Sequence, residues 1–177
     1  MEHIDDPNLK VLETERLIMR RFSPADAGLI LELLNEPSFI QNIGDRGVRT
    51  LSDAERYIAT GPVASYARNG FGLYLVLLKE SNEPIGMCGL IKRDALEDVD
   101  VGYAFLPRYW SRGYAIESVL AVLAYAKNIV RLKRVVAIVD PNNQGSIRVL
   151  EKAGFTFEKM VRLSADDIEL KLFAIEI

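Results

Sequence analysis

A strand-like segment that passes into a long helix-like segment through an arginine-glycine turn constrains this chain most. Residues 99–106 alternate aromatic and β-branched side chains as a strand does, and Pro107 ends that strand. Residues 115–131 are apolar on nearly every side, which predicts a helix packed between other elements. The turn, residues 109–115, reads YWSRGYA. It should therefore open the first turn of a buried helix inside a cleft.

The start of this helix is predicted to bind an anion. The first four N–H groups of a helix lack intrahelical partners, and the helix dipole places partial positive charge there. Gly113 lets a ligand approach the backbone, and Arg108 and Arg112 add whole charges. Charge-assisted hydrogen bonds of about 1.5–3 kcal/mol each would together hold a diphosphate. An Arg-Gly pair also occurs in ordinary strand-to-helix turns, so spacing alone fits a turn without a ligand.

Length and composition indicate one globular domain over residues 1–177, with residues 1–10 expected to form a mobile terminus. A net charge of −3 gives no reason to expect nucleic acid or an anionic membrane as the partner. The apolar stretch 119–126 is far shorter than the ~20 residues that span a bilayer. The acidic start of the chain and its single cysteine favour a cytoplasmic location.

Histidine and cysteine usage excludes several chemistries. The sole histidine is His3, so a histidine-based triad or a multi-histidine metal site is not expected, and we predict no metal. Cys88 lies in an apolar run with no histidine to activate it, which indicates a packing residue. No Gly-Lys-Ser/Thr follows the glycine of the turn, which disfavours a P-loop phosphatase or kinase.

The remaining pattern predicts an α+β layered domain with a mixed central β-sheet of about seven strands flanked by helices. The predicted elements are a strand over 12–22, a helix over 24–35, an irregular segment over 37–50, a helix over 52–69 with a Ser52–Glu55 capping box, a hairpin over 73–78 and 85–91, a buried strand over 135–139, a helix over 146–153, and final strands over 155–158 and 168–177. If the two halves of the sheet splay apart where the 99–106 strand meets its parallel neighbour, 135–139, a slot for an extended ligand opens there.

Three stretches of the chain carry a family resemblance. They are LETERL from Leu12 with Arg20, the YWSRGYA turn, and Asn143 and Ser146 followed by EKAGF from Glu151. Together they resemble the opening strand, the pyrophosphate loop and the second cofactor motif of the GNAT superfamily of N-acetyltransferases, in particular its RimJ/RimL-like branch. The resemblance implies the GNAT fold, acetyl-CoA as co-substrate, and an acceptor amine on a protein N-terminus or a small molecule.

The resemblance also implies the cofactor site. It would place the pyrophosphate on the amides from Arg112 to Ala115, the pantetheine against backbone near Phe105 and Leu106, and the cofactor arm beside Asn143. The implied cofactor residues are Phe105, Leu106, Arg108, Ser111, Arg112, Gly113, Tyr114, Ala115 and Asn143.

The resemblance implies an unusual catalytic acid. Many members carry a tyrosine on the last short helix that protonates the leaving thiolate, and the matching position here is Leu150. A serine matching Ser146 takes that role in the RimJ/RimL-like branch, so Ser146 is the candidate acid. The alternative is that Ser146 only starts its helix.

Direct acyl transfer also needs a neutral amine. An α-amine is roughly 10–20% neutral at pH 7 and a lysine only about 0.04%, so an α-amine would tolerate a weak base. Candidate bases are Asp98 and Asp100, which strand alternation places on one face. Asp167 is a third candidate, because members of the RimJ/RimL-like branch are similar to this chain at that position. Each also fits a solvated surface. Because the usual tyrosine is missing, a non-catalytic acyl-CoA-binding or regulatory domain is the alternative function. The sequence does not predict the oligomeric state, and a homodimer is one possibility.

Overall fold

The computed structural model describes residues 9–177, which contain one eight-stranded mixed sheet flanked by helices. The strands are β1 (Lys10–Glu13), β2 (Leu17–Arg20), β3 (Leu73–Leu78), β4 (Pro84–Ile91), β5 (Asp100–Phe105), β6 (Arg134–Val139), β7 (Thr156–Val161) and β8 (Leu170–Glu176). The helices are α1 (Ala27–Asn35), α2 (Pro37–Asn42), α3 (Leu51–Ile58), α4 (Ala64–Asn69), α5 (Tyr114–Tyr125) and α6 (Gln144–Lys152). Wide π-helical turns over Ala59–Val63 and Ala126–Val130 join α3 to α4 and extend α5.

The strand order is β1-β2-β3-β4-β5-β6-β8-β7, and β5 and β6 are its parallel pair. β4 and β5 stay in register from Gly86–Phe105 to Ile91–Asp100. β5 and β6, in contrast, are paired only at Asp100 and Val136, near their starts. The two strands therefore diverge toward their carboxyl ends, as the sequence predicted for this parallel pair.

The segment predicted as one strand over 12–22 is a hairpin of β1 and β2, and this prediction was wrong. Leu12 is opposite Met19, and Thr14 closes the turn between them. The Thr14 N–H donates to the Leu17 carbonyl at 2.9 Å, and the Leu17 N–H donates to Thr14 Oγ1 at 3.0 Å. This turn is the reason the sheet has eight strands rather than about seven.

Two helical predictions also need correction. The segment 37–50, predicted to be irregular, begins with α2, where Pro37 occupies the first helical position and Phe39 is buried. The capping box of α3 uses Thr50 and Asp53 rather than Ser52 and Glu55. Thr50 Oγ1 accepts from the Asp53 N–H at 3.0 Å, and the Asp53 carboxylate accepts from the Thr50 N–H at 3.1 Å.

The central helix is less enclosed than its apolar sequence predicted. Val119 and Val122 of α5 are fully buried, but Leu120 is 49% exposed and Ile129, in the π-helical extension, is 68% exposed. One face of the helix therefore meets solvent. The predicted hairpin is confirmed as β3 and β4, and Cys88 is buried in β4 as expected.

The C-terminal elements follow the sequence closely. α6 begins at Gln144 with Asn143 as its N-cap, two residues before the predicted start. Gly154 has a φ of +99°, the left-handed conformation expected of the residue that ends a helix. The last two strands are β7 and β8, which begin one and two residues after the starts predicted at 155 and 168.

Most of the expected mobile terminus, including His3, lies outside the described residues. Of residues 1–10, the structure describes only 9 and 10, and Lys10 already belongs to β1. Within the described part of the chain, no helix is both long and apolar enough to cross a membrane.

Candidate active site

The predicted anion loop has the backbone that its sequence suggested. Ser111 and Gly113 both have left-handed φ values, +59° and +83°, and Gly113 is the N-cap of α5. The Gly113 carbonyl accepts the first helical hydrogen bond, from the Glu117 N–H at 3.1 Å. Ser111, Arg112 and Gly113 are exposed, so the unpaired amides at the start of α5 are within reach of a ligand.

Arg16, which sequence analysis gave no role, braces this loop from the β1–β2 turn. Its Nη1 donates to the Arg112 carbonyl at 2.9 Å, its Nε pairs with the Glu117 carboxylate at 2.7 Å, and its guanidinium lies 4.5 Å from the Tyr114 ring centre. Partial burial favours a higher pKa for Glu117, but hydrogen bonds from Thr14 and Arg16 outweigh it and hold the pKa below its usual value. The Arg16–Glu117 ion pair therefore anchors the loop to the β1–β2 turn.

The two arginines expected at the anion site differ in their surroundings. Arg108 forms an ion pair with Glu32 of α1 at 2.5 Å, and this hydrogen bond raises the pKa of Arg108. Arg112 forms no ion pair with any residue that the structure describes, and its guanidinium lies 5.8 Å from the Tyr109 ring centre. Arg112 is the cation of this pair left for an anionic ligand.

The backbone at the end of β5 narrows the expected contacts with pantetheine. The Leu106 N–H donates to Ile85 at 3.0 Å, and the Leu106 carbonyl accepts from Tyr109 at 2.9 Å. Because alternate residues of a strand direct their backbone groups to opposite edges, Phe105 and Tyr103 face the gap toward β6. The indole N–H of Trp110 already donates to the Phe105 carbonyl at 2.8 Å. The backbone groups of Leu106 and the Phe105 carbonyl therefore already have partners, whereas the Phe105 N–H and the Tyr103 backbone face the gap.

A cavity of about 840 Å³ lies where β5 and β6 diverge. It brings together four of the predicted site residues, Asp100, Asn143, Ser146 and Asp167. Residues 105–115 do not line it, so the anion loop and this cavity are separate parts of the site. Among residues 9–177, no three His, Cys, Asp or Glu side chains come together in a way that could hold a metal ion.

Ser146 is held at the cavity by two neighbours. Its N–H donates to Asn143 Oδ1 at 3.2 Å, so the amide oxygen of Asn143 caps α6. Its Oγ lies 2.7 Å from the Tyr103 hydroxyl, which also donates to the Ser146 carbonyl at 3.2 Å. Burial raises the pKa of Tyr103, and the hydrogen bond to Ser146 opposes that rise only in part. Tyr103 is therefore a neutral hydroxyl group beside the candidate acid.

Sequence analysis missed Tyr103 as a functional residue. The available signal was its position in an otherwise apolar strand, because the hydroxyl of a buried tyrosine usually finds a hydrogen-bond partner. The partner itself, 43 residues further along the chain, could not be read from the local pattern.

The three candidate carboxylates occupy different environments. Asp100 is 1% exposed, and Arg93 Nε donates to both of its oxygens at 3.1–3.2 Å. Burial raises the pKa of Asp100, and the Arg93 charge opposes this. Asp98 precedes β5, so strand alternation does not reach it, and it pairs with Arg134 at 3.0 Å outside the cavity. Asp167 lies in the β7–β8 connection, exposed at the cavity.

Comparison with known proteins agrees with this geometry. The acetyltransferase (GNAT) domain family matches residues 16–156. The uncharacterized N-acetyltransferase YoaA of Bacillus subtilis is 28% identical over 154 residues, which cover 86% of each chain. The uncharacterized protein YkkB of the same organism is 35% identical over 95 residues, which are 52% of this chain and 55% of YkkB.

A solved structure has the same fold. RimL, a ribosomal L7/L12 alpha-N-protein acetyltransferase in complex with coenzyme A, superimposes with a TM-score of 0.80 at 17% identity, over 93% of this chain and 96% of RimL. The resemblance found in the sequence is thus confirmed at the level of the family. With its β5–β6 gap, its anion loop and a family match over most of its length, the chain belongs to the acetyltransferase (GNAT) family.

Proposed function

We propose that the protein transfers the acetyl group of acetyl-CoA to a primary amine by direct attack of the amine. The observation that carries this proposal is the divergence of β5 and β6 after Asp100 and Val136, with the anion loop outside the gap and the Ser146–Tyr103 pair at its cavity. The acceptor would be a protein N-terminal α-amine or a small-molecule amine. The activity in the name of RimL, alpha-N-protein acetylation, supports the first.

The residues present fit coenzyme A. The exposed amides at the start of α5 and the unpaired Arg112 suit a diphosphate, and a glycine with φ +83° at the N-cap keeps the approach to those amides open. The gap-facing backbone of Tyr103 and Phe105 suits an extended amide chain, which pairs with an open strand edge as a further strand would. Bound there, the thioester supplies an activated acetyl group.

Ser146 is proposed to donate the proton that the departing sulfur needs. Its hydroxyl is positioned by the Tyr103 hydroxyl at 2.7 Å and by the cap from Asn143. Tyr103 then donates its proton to the Ser146 oxygen, so one proton moves along the pair. Tyr103 regains a proton from solvent, and the proton that the amine loses passes to solvent through the base, so the protons balance.

Asp167 is the residue that we propose as the base, directly or through water. It is exposed on the cavity, where an amine can approach it. Asp100 is the second candidate, since burial moves its pKa toward that of a useful base. Both oxygens of Asp100 receive hydrogen bonds from Arg93, however, which favours a role in holding the floor of the cavity.

The proposal is tested with acetyl-labelled acetyl-CoA and a panel of peptides, amino acids and simple amines. We expect label on at least one amine together with release of free coenzyme A. Tight binding of acetyl-CoA with no turnover on any amine would contradict the enzyme and favour a non-catalytic acyl-CoA-binding domain. The family match and the Ser146–Tyr103 pair support the enzyme.

A further inference from the structure

The charges that line the 840 Å³ cavity are segregated by sign. We call the lining residues from 39–69 the basic wall and those from 137–170 the acidic wall. The charged residues of the basic wall are Arg46 and Arg68, and those of the acidic wall are Asp140, Asp166 and Asp167. Among the residues that the structure describes, neither wall lines the cavity with a charge of the opposite sign.

The lining between the two walls carries one net positive charge, because it contains Lys92, Arg93 and Asp100. Lys92 lines the cavity, but its ammonium donates to the carbonyls of Leu96 and Glu97 at 2.9 and 2.8 Å. Arg93 is paired with the buried Asp100. Apart from the charge of Lys92, the cavity charges that have no ion-pair partner among residues 9–177 therefore lie on the two walls.

The arginines of the basic wall lack the partners that their neighbours have. Arg49 pairs with Asp45 at 2.6 Å and Arg56 with Asp53 at 3.6 Å, and neither arginine lines the cavity. Arg46 and Arg68 form no ion pair with any of residues 9–177. The two guanidiniums next to the cavity are thus the ones left for a ligand.

Tyr57 locates Arg46 close to the cavity surface. Its side chain lines the cavity, and burial raises its pKa. The charges of Arg46 and Arg93 oppose that rise, so both guanidiniums lie near the phenol. Arg46 therefore lies beside Tyr57, which is another residue of the basic wall.

We propose that the acceptor amine also carries an anionic group, a carboxylate or a phosphate, which binds Arg46 and Arg68. This rests on the proposed function. With its anion on the basic wall, such a molecule directs its amine toward the acidic wall, where Asp167 and Ser146 lie. A ligand with charges of both signs matches both walls, whereas a simple amine leaves two cations unused.

The test measures equilibrium binding to the protein loaded with coenzyme A, with pairs of amines that differ only in the anion. Serine is compared with serine amide for a carboxylate, and O-phosphoethanolamine with ethanolamine for a phosphate. We expect the anionic member of at least one pair to bind about tenfold more tightly, a modest gain because both arginines are exposed. The pair that shows the preference identifies the anion.

Two charge-matched double variants complete the experiment. Arg46→Gln with Arg68→Gln should remove the preference, and Arg56→Gln with Arg148→Gln, exposed arginines outside the cavity, should keep it. Equal affinities within both pairs, no saturable binding of either anionic amine, or equal loss in both double variants would overturn the proposal. Acetyl transfer measured in parallel separates the two hypotheses, since absent turnover with a retained binding preference contradicts the proposed function alone.

Discussion

The Tyr103 hydroxyl lies 2.7 Å from Ser146 Oγ and joins β5 to α6 across the gap in the sheet. If the two hydroxyls pass a proton to the departing sulfur, Tyr103→Phe should slow acetyl transfer about tenfold. Ser146→Ala should slow it about a hundredfold, the lower range for a general acid. Single-turnover kinetics measure the rate of acetyl transfer. Equilibrium binding should show that the affinity for coenzyme A is unchanged in both variants.

The double variant Tyr103→Phe with Ser146→Ala is the control for this relay. Groups that act as a unit give non-additive losses, so the double variant should be no slower than Ser146→Ala alone. Losses that multiply would show that Tyr103 acts independently of Ser146.

Gly113→Asp should weaken coenzyme A binding strongly while the fold is retained. The φ of +83° disfavours a side chain, an added Cβ lies 3.2 Å from Arg16 Nη2, and the new carboxylate repels the diphosphate. Losing charge-assisted bonds at this loop should weaken binding on the order of a hundredfold. Gly70→Asp is the matched control, because Gly70 has a φ of +77° at the end of α4, away from the loop. Gly70→Asp should lower the free energy of unfolding by as much as Gly113→Asp does, and it should bind coenzyme A normally.

Arg93→Gln should destabilise the protein by about 3 kcal/mol at pH 7, because it leaves the buried Asp100 carboxylate without its partner. The folded-state pKa of Asp100 is raised by burial, so this group stabilises the fold fully below its unfolded pKa and less as the pH rises through the folded value. Removing Arg93 raises that pKa further. Urea unfolding should therefore show a larger deficit at pH 8 than at pH 5.

Asp100→Asn in the Arg93→Gln background provides the control. It removes the charge that Arg93 had balanced, so most of the lost stability should return and the pH dependence should flatten. A deficit that is the same at both pH values would show that Arg93 stabilises by packing alone.

Asp167→Asn should lower kcat/KM at least tenfold if Asp167 takes the amine's proton. Asp166→Asn is the matched change one residue away on the same acidic wall, and it should raise KM slightly and leave kcat unchanged. Steady-state kinetics with the best amine of the panel distinguish the two. Equal effects on kcat would indicate a shared electrostatic role and contradict a specific base.

Features that depend on neighbouring residues could be predicted from the sequence. The start of α5 was predicted at Ala115, one residue after its observed start at Tyr114, because a glycine separates an apolar strand from an apolar helix. The helix end at Gly154 follows from the position of this glycine after the last helix. The β5–β6 gap follows from the order of strands around a helical crossover. The capping box was missed because Thr50–Asp53 and Ser52–Glu55 both fit the same pattern, and the pattern cannot rank them.

Features that depend on distant residues could not be predicted in this way. The Tyr103–Ser146 bond and the bracing of the loop by Arg16 join residues far apart in the chain. The charge segregation of the cavity likewise needs residues from 39–69 and from 137–170 to line the same cavity, which only tertiary packing achieves. The β1–β2 turn was hidden because Glu13 and Glu15, two residues apart, also fit the exposed face of a single edge strand.

If the anion loop binds coenzyme A as proposed, the contact between Arg16 and this loop makes coenzyme A affinity a measure of how well the β1–β2 hairpin is docked. The backbone N–H and the guanidinium of Arg16 both bind Glu117, 101 residues away, so ordering the loop and closing the hairpin onto it are one event. A ligand that binds only the ordered loop must therefore also slow local opening of β1 and β2. Slower amide hydrogen exchange in β1 and β2 would then report that coenzyme A is bound at the start of α5, where Glu117 lies 101 residues after Arg16.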